Sequence, residues 1–319
     1  MTQTVEPLVT IGIPTYNRAS STLPIALEAA LNQTYQHLQI VVSDNCSGDD
    51  TETLVRGNSD PRICYLRQTK NIGANNNFNA CVEHARGEYF LLLHDDDSID
   101  SDFVESCIGA LEHNAGVGLV RTGIRLIDGH GDSILEWENR LHGETLTDLI
   151  SGWINSTTTM FCANTLIKTT ALKEIGGFDS ARNLFQDVLA HVKIAAAHGY
   201  TNVSDVKASF REHDQNQGKA ARIEDWCIDS LELLATIEQL LGSTRQAPLI
   251  DQLKAFLCRI NYGYARELPS LVTRFRYYRI VEKHFQGAFP MWTYYWGYDL
   301  LPRWRALKRR FKSSLPYRS

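Results

Sequence analysis

The stretch Gly87–Asp100, GEYFLLLHDDDSID, decides how the rest of the chain is read. It begins as an apolar run, Tyr89 to Leu93, and finishes with three adjacent carboxylates, Asp95, Asp96 and Asp97. An apolar run without polar alternation is the mark of a strand buried on both faces, as in a parallel sheet. Two carboxylates about 4 Å apart repel by roughly 4 kcal/mol at a near-surface dielectric. A loose, solvated loop relieves that repulsion. A divalent cation relieves it better, because hard cations take oxygen ligands.

Outward from this stretch the same pattern recurs. LVTIGIP (8–14) and LQIVVSD (38–44) are short β-rich runs, and RICYLRQ (62–68) is a third strand. Helical spacing runs through 21–33, 50–57 and 76–87. Strands alternating with helices predict a doubly wound, mostly parallel sheet, whose ligands sit at the carboxyl ends of the strands. Thr15, Tyr16, Asn17, Asp44 and Asp95–Asp97 all fall at such ends. Beyond residue 115 the pattern loosens, with strands at 117–128 and within 157–168, helices at 170–179 and 187–200, and a wholly helical stretch at 219–285. The expected domains are therefore an α/β unit, 1–215, and a helical C-terminal region, 216–319.

At 319 residues, 43% hydrophobic and 22% charged, the chain has the composition of an ordinary globular protein. Seven cysteines without CxxC spacing exclude a zinc framework and a disulfide scaffold, which points to a reducing, cytoplasmic setting. The N-terminus lacks the pattern of a signal peptide, and no apolar stretch reaches the length of a membrane span. Residues 271–319 carry eleven Lys and Arg against Glu282 and Asp299, a net of +9 in a chain of −5 overall. The tail also holds 13 of the 31 aromatics.

Several residues carry a structural and a functional meaning side by side. Asp44 is a turn or capping residue, or an acceptor for a base N–H at the rim. Asn71, Gly73 and Asn77, in KNIGANNNFN, suit a turn, and they also suit an anion such as a diphosphate at a helix N-terminus. Asp187 matches the dipole of a helix first turn, or serves as a general base. His213, in FREH, is a surface histidine, or a metal or phosphate partner.

Taken in order, VTIGIPTYNR, IVVSDNCSGDDT, NIGANNNFNACVEHARGEYFLLLHDDD, LKEIGGFD…QD and FREH resemble glycosyltransferase family 2 over about residues 8–215. The resemblance implies a GT-A fold and an inverting, metal-dependent enzyme that uses nucleotide-diphosphate sugars. It places Pro14, Tyr16 and Arg18 at the nucleotide, Asp44 at the base, Asp95 at the ribose, and Asp96 with its neighbour Asp97 at a Mn or Mg ion. It makes Asp187 the catalytic base and brings His213 to the metal or diphosphate. Three positions depart from the family pattern. Gln186-Asp187 replaces the usual ED, Asn77-Phe78-Asn79 replaces ARN, and HDDD replaces DxDD, which leaves the ligand register open by one residue. The QxxRW motif of processive synthases is absent, so a single sugar addition is expected.

The expected partners are a nucleotide-sugar donor and a glycan or lipid-linked glycan acceptor, with no nucleic acid. A nucleotidyltransferase and a non-catalytic sugar-nucleotide-binding scaffold are the alternatives. The aromatic, basic tail (292–319) reads as an anchor on an anionic membrane surface at the inner face. Core packing and a homo-oligomer interface are the competing readings of the same residues.

Overall fold

A computed structural model of the protein describes residues 6–112, 114, 116–212, 221–242 and 246–302. His213 and the tail beyond Pro302, including Trp304, lie outside the described residues. The chain divides into two compact units, Met1–Asn216 with Gln239–Leu241, and Gln217–Glu238 with Gly242–Ser319.

The first unit is built on a nine-stranded, mostly parallel sheet. Its first strands are β1 (Val9–Thr15), β2 (Leu38–Asp44), β3 (Ile63–Arg67) and β4 (Tyr89–Leu92). They lie in the order β3-β2-β1-β4, all parallel. β1 and β2 are buried along their whole length, and so is β4, which is why their sequences are unbroken apolar runs. Helices α1 (Leu23–Leu31), α2 (Thr51–Arg56) and α3 (Ala74–His84) make the crossovers. Close packing at the centre requires Gly12. A Cβ there would lie 2.7 Å from the Cys81 Cβ on α3 and 2.8 Å from the Phe90 ring on β4.

The second half of the sheet is mixed. The short β5 (Ser98–Ile99) is followed by α4 (Phe103–Glu112), β6 (Leu119–Ile127), β7 (Ser133–Trp137) and α5 (Leu146–Ile154). Then come β8 (Thr165–Lys168), α6 (Thr169–Glu174), α7 (Gln186–His198) and the twelve-residue β9 (Tyr200–Arg211). β8 runs antiparallel to both β4 and β6 and joins the two halves. β6 and β9 are parallel neighbours, and β5 and β7 add antiparallel edges. The order reverses between β1, which leads to β2 on one side, and β4 on the other. That is the switch point at which doubly wound sheets bind ligands.

The second unit is helical. The stretch expected to be wholly helical resolves into α8 (Ile223–Leu241), α9 (Ala247–Arg266) and α10 (Leu271–His284), followed by α11 (Met291–Tyr295) and a π-helical turn, Trp296–Leu300. Gly242 closes α8 with a left-handed φ of 62°. Part of the aromatic excess is core. Tyr262, Tyr278 and Tyr294 are buried against one another, and the buried Asp299 accepts bonds from the Tyr278 hydroxyl and Arg274 Nη1, both 2.7 Å. Trp292, Trp296 and Tyr298 are instead 62%, 57% and 50% exposed. Among the described residues no helix is long and apolar enough to cross a membrane.

Candidate active site

β4 ends at Leu92, and the chain turns over Leu93 to Asp97 before entering β5. Burial of the strand leaves the following acids no place but the rim. Each is then held differently. The Tyr16 backbone N–H donates to Asp95 Oδ2 at 3.4 Å. Burial and the charge of Asp96 push the Asp95 carboxyl up to about 6, against the pull of Thr15 and Arg18. Asp97 is fully buried, with Oδ1 accepting from the Arg211 N–H at 2.9 Å and Oδ2 lying 3.5 Å from His94 Nδ1. Burial drives its pKa up, opposed by His94.

Arg211, at the end of β9, is the brace of this turn. Its buried guanidinium donates from Nε to the Asp96 carbonyl at 2.9 Å and from Nη1 to the Asp128 carbonyl at 3.0 Å. FREH drew attention for His213, but within the described residues its arginine does the positioning.

His94, Asp96 and Asp97 offer ligand atoms that all lie within 4.8 Å of one another. His94 Nε2 and Asp97 Oδ2 are buried without hydrogen-bond partners. One imidazole and two carboxylates, with two orphaned polar atoms among them, fit a divalent cation. His94 was not expected from the sequence, although it stands three residues before Asp97, a spacing that brings the two together across a tight turn. Burial alone would lower its pKa, but Asp97, with Asp96 and Asp187, raises it to about 9. A cation bound there would displace that proton, since only neutral imidazole is a ligand.

Asp187 lies in the first turn of α7. Burial raises its carboxyl to about 6, while the Val188 N–H, 2.8 Å from Oδ1, pulls the other way. A carboxyl with a raised folded pKa weakens the fold when ionised. That cost is absent below its unfolded value near pH 4 and fully present above about pH 6. α7 is aimed by the GGFD turn. Asn79 accepts from the Phe178 N–H at 2.8 Å and donates to its carbonyl at 2.9 Å, and Asn75 donates to the same carbonyl at 3.0 Å. The asparagines of α3 thus tie that helix to the turn that precedes α7.

The remaining expected residues surround the same rim. Pro14 is buried on β1, Tyr16 is exposed and Arg18 is half-buried. Asp44 is fully buried, and its oxygens accept from the Ser47 N–H at 2.8 Å, the Tyr65 hydroxyl at 2.6 Å and Arg67 at 3.4 Å. Asn71 accepts from Asn45 Nδ2 and from the Gly73 N–H. Gly73 enters α3 with a φ of 84°, a conformation that favours glycine. Asn77 is buried and exchanges bonds with the Ser43 hydroxyl and carbonyl, which ties α3 to β2.

A doubly wound sheet whose switch point carries an acidic turn and a loop-to-helix entry is suited to a nucleotide ligand. Residues 10–176 match the family described as glycosyl transferase family 2. The chain is 30% identical to the uncharacterized glycosyltransferase RT0329 of Rickettsia typhi, over 85% of this chain and 86% of that one. It is 32% identical to the GalNAc(5)-diNAcBac-PP-undecaprenol beta-1,3-glucosyltransferase of Campylobacter jejuni, over 43% of this chain and 42% of that one. In fold it is similar to a mannosyltransferase from Pyrobaculum calidifontis solved with GDP-Man and Mn2+. That likeness has a TM-score of 0.57 and 20% identity, and covers 89% of this chain and 86% of that one. The chain belongs to glycosyl transferase family 2, and its fold is GT-A.

Arg211→Met keeps the bulk of the side chain and removes its side-chain bonds to the Asp96 and Asp128 carbonyls, leaving the backbone N–H bond to Asp97. Hydrogen bonds from charged groups are worth about 1.5–3 kcal/mol each, so a stability loss of about 2–3 kcal/mol is expected in a denaturant titration. An unchanged midpoint would show that the brace does not hold the turn.

Proposed function

We propose that the protein is an inverting glycosyltransferase that moves a sugar from a nucleoside-diphosphate donor to a glycan or lipid-linked glycan acceptor, with a divalent metal, Mn or Mg. The observation that carries the proposal is the clustering of ligand atoms of His94, Asp96 and Asp97 after β4, at the sheet's switch point.

His94, Asp96 and Asp97 would hold the metal, and His213 keeps its expected place as a further ligand. When bound, the ion supplies positive charge for the diphosphate leaving group. The donor nucleotide lies over Pro14, Tyr16 and Arg18, with Asp95 facing the ribose. Asn71 and Gly73 present the entry of α3 to the diphosphate. Asp44 acts on the base pocket through Tyr65 and Arg67, whose positions it fixes, and Asn77 acts through the seating of α3. Asp187 accepts the proton of the acceptor hydroxyl as that oxygen attacks C1 from the face opposite the diphosphate. A bond forms at C1 as the bond to the diphosphate oxygen breaks, in one displacement that inverts the anomeric centre. The raised pKa of Asp187 leaves it ionised at neutral pH and a stronger base than an ordinary carboxylate.

A lipid-linked acceptor has support from the undecaprenol-linked substrate in the name of the Campylobacter relative. In the second unit, Trp292, Trp296 and Tyr298 project amphipathic rings into solvent, beside Val272 at 81% exposure. Such side chains settle at the interface of a bilayer, and the basic residues of 303–312 add attraction to anionic lipid. We therefore place the protein on the inner face of the membrane as a peripheral enzyme.

Two sets of variants test these roles. Asp96→Ala is expected to abolish the metal-dependent part of nucleotide binding in calorimetry without lowering the melting temperature. Asp187→Asn is expected to slow transfer by about 10²–10⁴-fold while donor affinity stays within a small factor. Metal–nucleotide binding that survives the first change, or near-native transfer after the second, removes the assigned role. For the membrane surface, the full chain is expected to float with anionic liposomes at low salt and to be released at high salt. The Trp292→Ala/Trp296→Ala variant should float less. Failure of the full chain to float at low salt contradicts the assignment.

A further inference from the structure

Where α7 packs against β6, the protein buries a charge that no group among the described residues pairs with. Arg121, on β6, has 0% exposure, and Nε, Nη1 and Nη2 all lack a hydrogen-bond partner. His191, on α7, is also at 0%, and both of its ring nitrogens lack partners. The helix that carries His191 packs against the strand that carries Arg121. Arg121's charge, added to burial, holds the His191 imidazole down to about 3, so the ring is neutral. Burial in turn pulls Arg121 down to about 10, against the influence of Tyr200, and at neutral pH the guanidinium still carries its proton.

The local packing fixes this arrangement. Asp187, His191, Ile194 and His198 follow one another along a single face of α7 at helical spacing. That face lies on the start of β6, where a Cβ on Gly118 would meet Ile194 at 2.5 Å and His198 at 2.8 Å. Arg121 follows three residues along the strand. Its own carbonyl is used by Asn139 Nδ2 at 3.0 Å. The Tyr200 hydroxyl is committed to the carbonyls of Gly143 and Thr145, at 3.2 and 3.1 Å.

A guanidinium carries five donors and no acceptor. Buried without partners, it bears the full penalty of an isolated charge. A neutral imidazole adds one N–H donor to the same neighbourhood. Donors predominate and the net charge is positive, so the missing component is an acceptor with negative charge. The enclosure selects a small one. We propose that Arg121 and His191 form an interior binding site for a small monovalent anion of the halide class, which neutralises Arg121 and pins α7 to β6. The site is independent of the assignment of the catalytic rim. Its effect on catalysis is positional, because His191 stands one helical turn from Asp187 on the same face of α7.

The test uses the full chain, with chloride or bromide as the probe and gluconate, too large to be enclosed, as the replacement at constant ionic strength. The melting temperature of the native protein is expected to climb with the logarithm of halide concentration, as for any ligand that binds only the folded state. Arg121→Met should erase the dependence. Equal melting temperatures in halide and gluconate, or an equal halide slope in the variant, would overturn the proposal. If Arg121→Met does not fold, crystals of the native protein grown in bromide decide the matter. An anomalous peak between the guanidinium and the His191 ring supports the site, and water alone at that position refutes it.

Discussion

The structure depends on a conflict between burial and charge at the end of β4. Phe90, Leu91, Leu92 and Leu93 are almost completely buried, so the residues that follow emerge at a fixed place and in a fixed direction. Those residues are acids, and they repel one another. Without support the turn would splay into solvent and lose its shape. It is held by donors that come from far along the chain. Arg211, at the other end of the first unit, supplies backbone and side-chain bonds, and His94 pairs with Asp97. The fold therefore keeps carboxylates close together where a cation can use them, and burial, with the charge of Asp96, raises the pKa values of Asp95 and Asp97.

A different set of contacts holds the chain that leads into α7. Asp187 stands in the first turn of that helix, and the GGFD turn that precedes it is clasped by Asn75 and Asn79 on α3. α3 is tied back to β2 through Asn77 and Ser43. Of the residues that stand where the family has ARN, Asn79 keeps the family's asparagine and clasps the GGFD turn, whereas Asn77 departs from the pattern and ties α3 to β2. At the carboxyl ends of the neighbouring parallel strands, the loops after β1 and β2 exchange bonds, since Ser47 Oγ accepts from the Asn17 N–H and Asn17 Oδ1 accepts from the Gly48 N–H.

How much of this was legible in the sequence follows from where each residue is buried. β1, β2 and β4 are covered on both faces, and continuous apolar runs gave them away. β9 reads YTNVSDVKASFR, polar and half-exposed over much of its length, and its strand character comes from pairing with β6 rather than from its own pattern. β7 is almost wholly exposed and has no buried face to reveal it. α4 and α5 fell in the stretches left unassigned. Among the site residues, the acids and Asp187 were found because strand ends and helix starts can be read locally. His94 and Arg211 were not, because their roles depend on long-range partners. Arg121 sits in VRTGIRL, where alternation makes an arginine look like the solvent side of a strand. The structure buries it instead.

The central claim is that the turn after β4 forms a cation site beside the nucleotide. It is tested most directly by diffraction at the manganese edge from crystals holding Mn2+ and a nucleoside diphosphate. An anomalous peak within coordination distance of Asp96, Asp97 and His94, on the side facing Asp187, is the predicted result. A peak elsewhere on the protein, or a bound diphosphate with no peak at that turn, would contradict it.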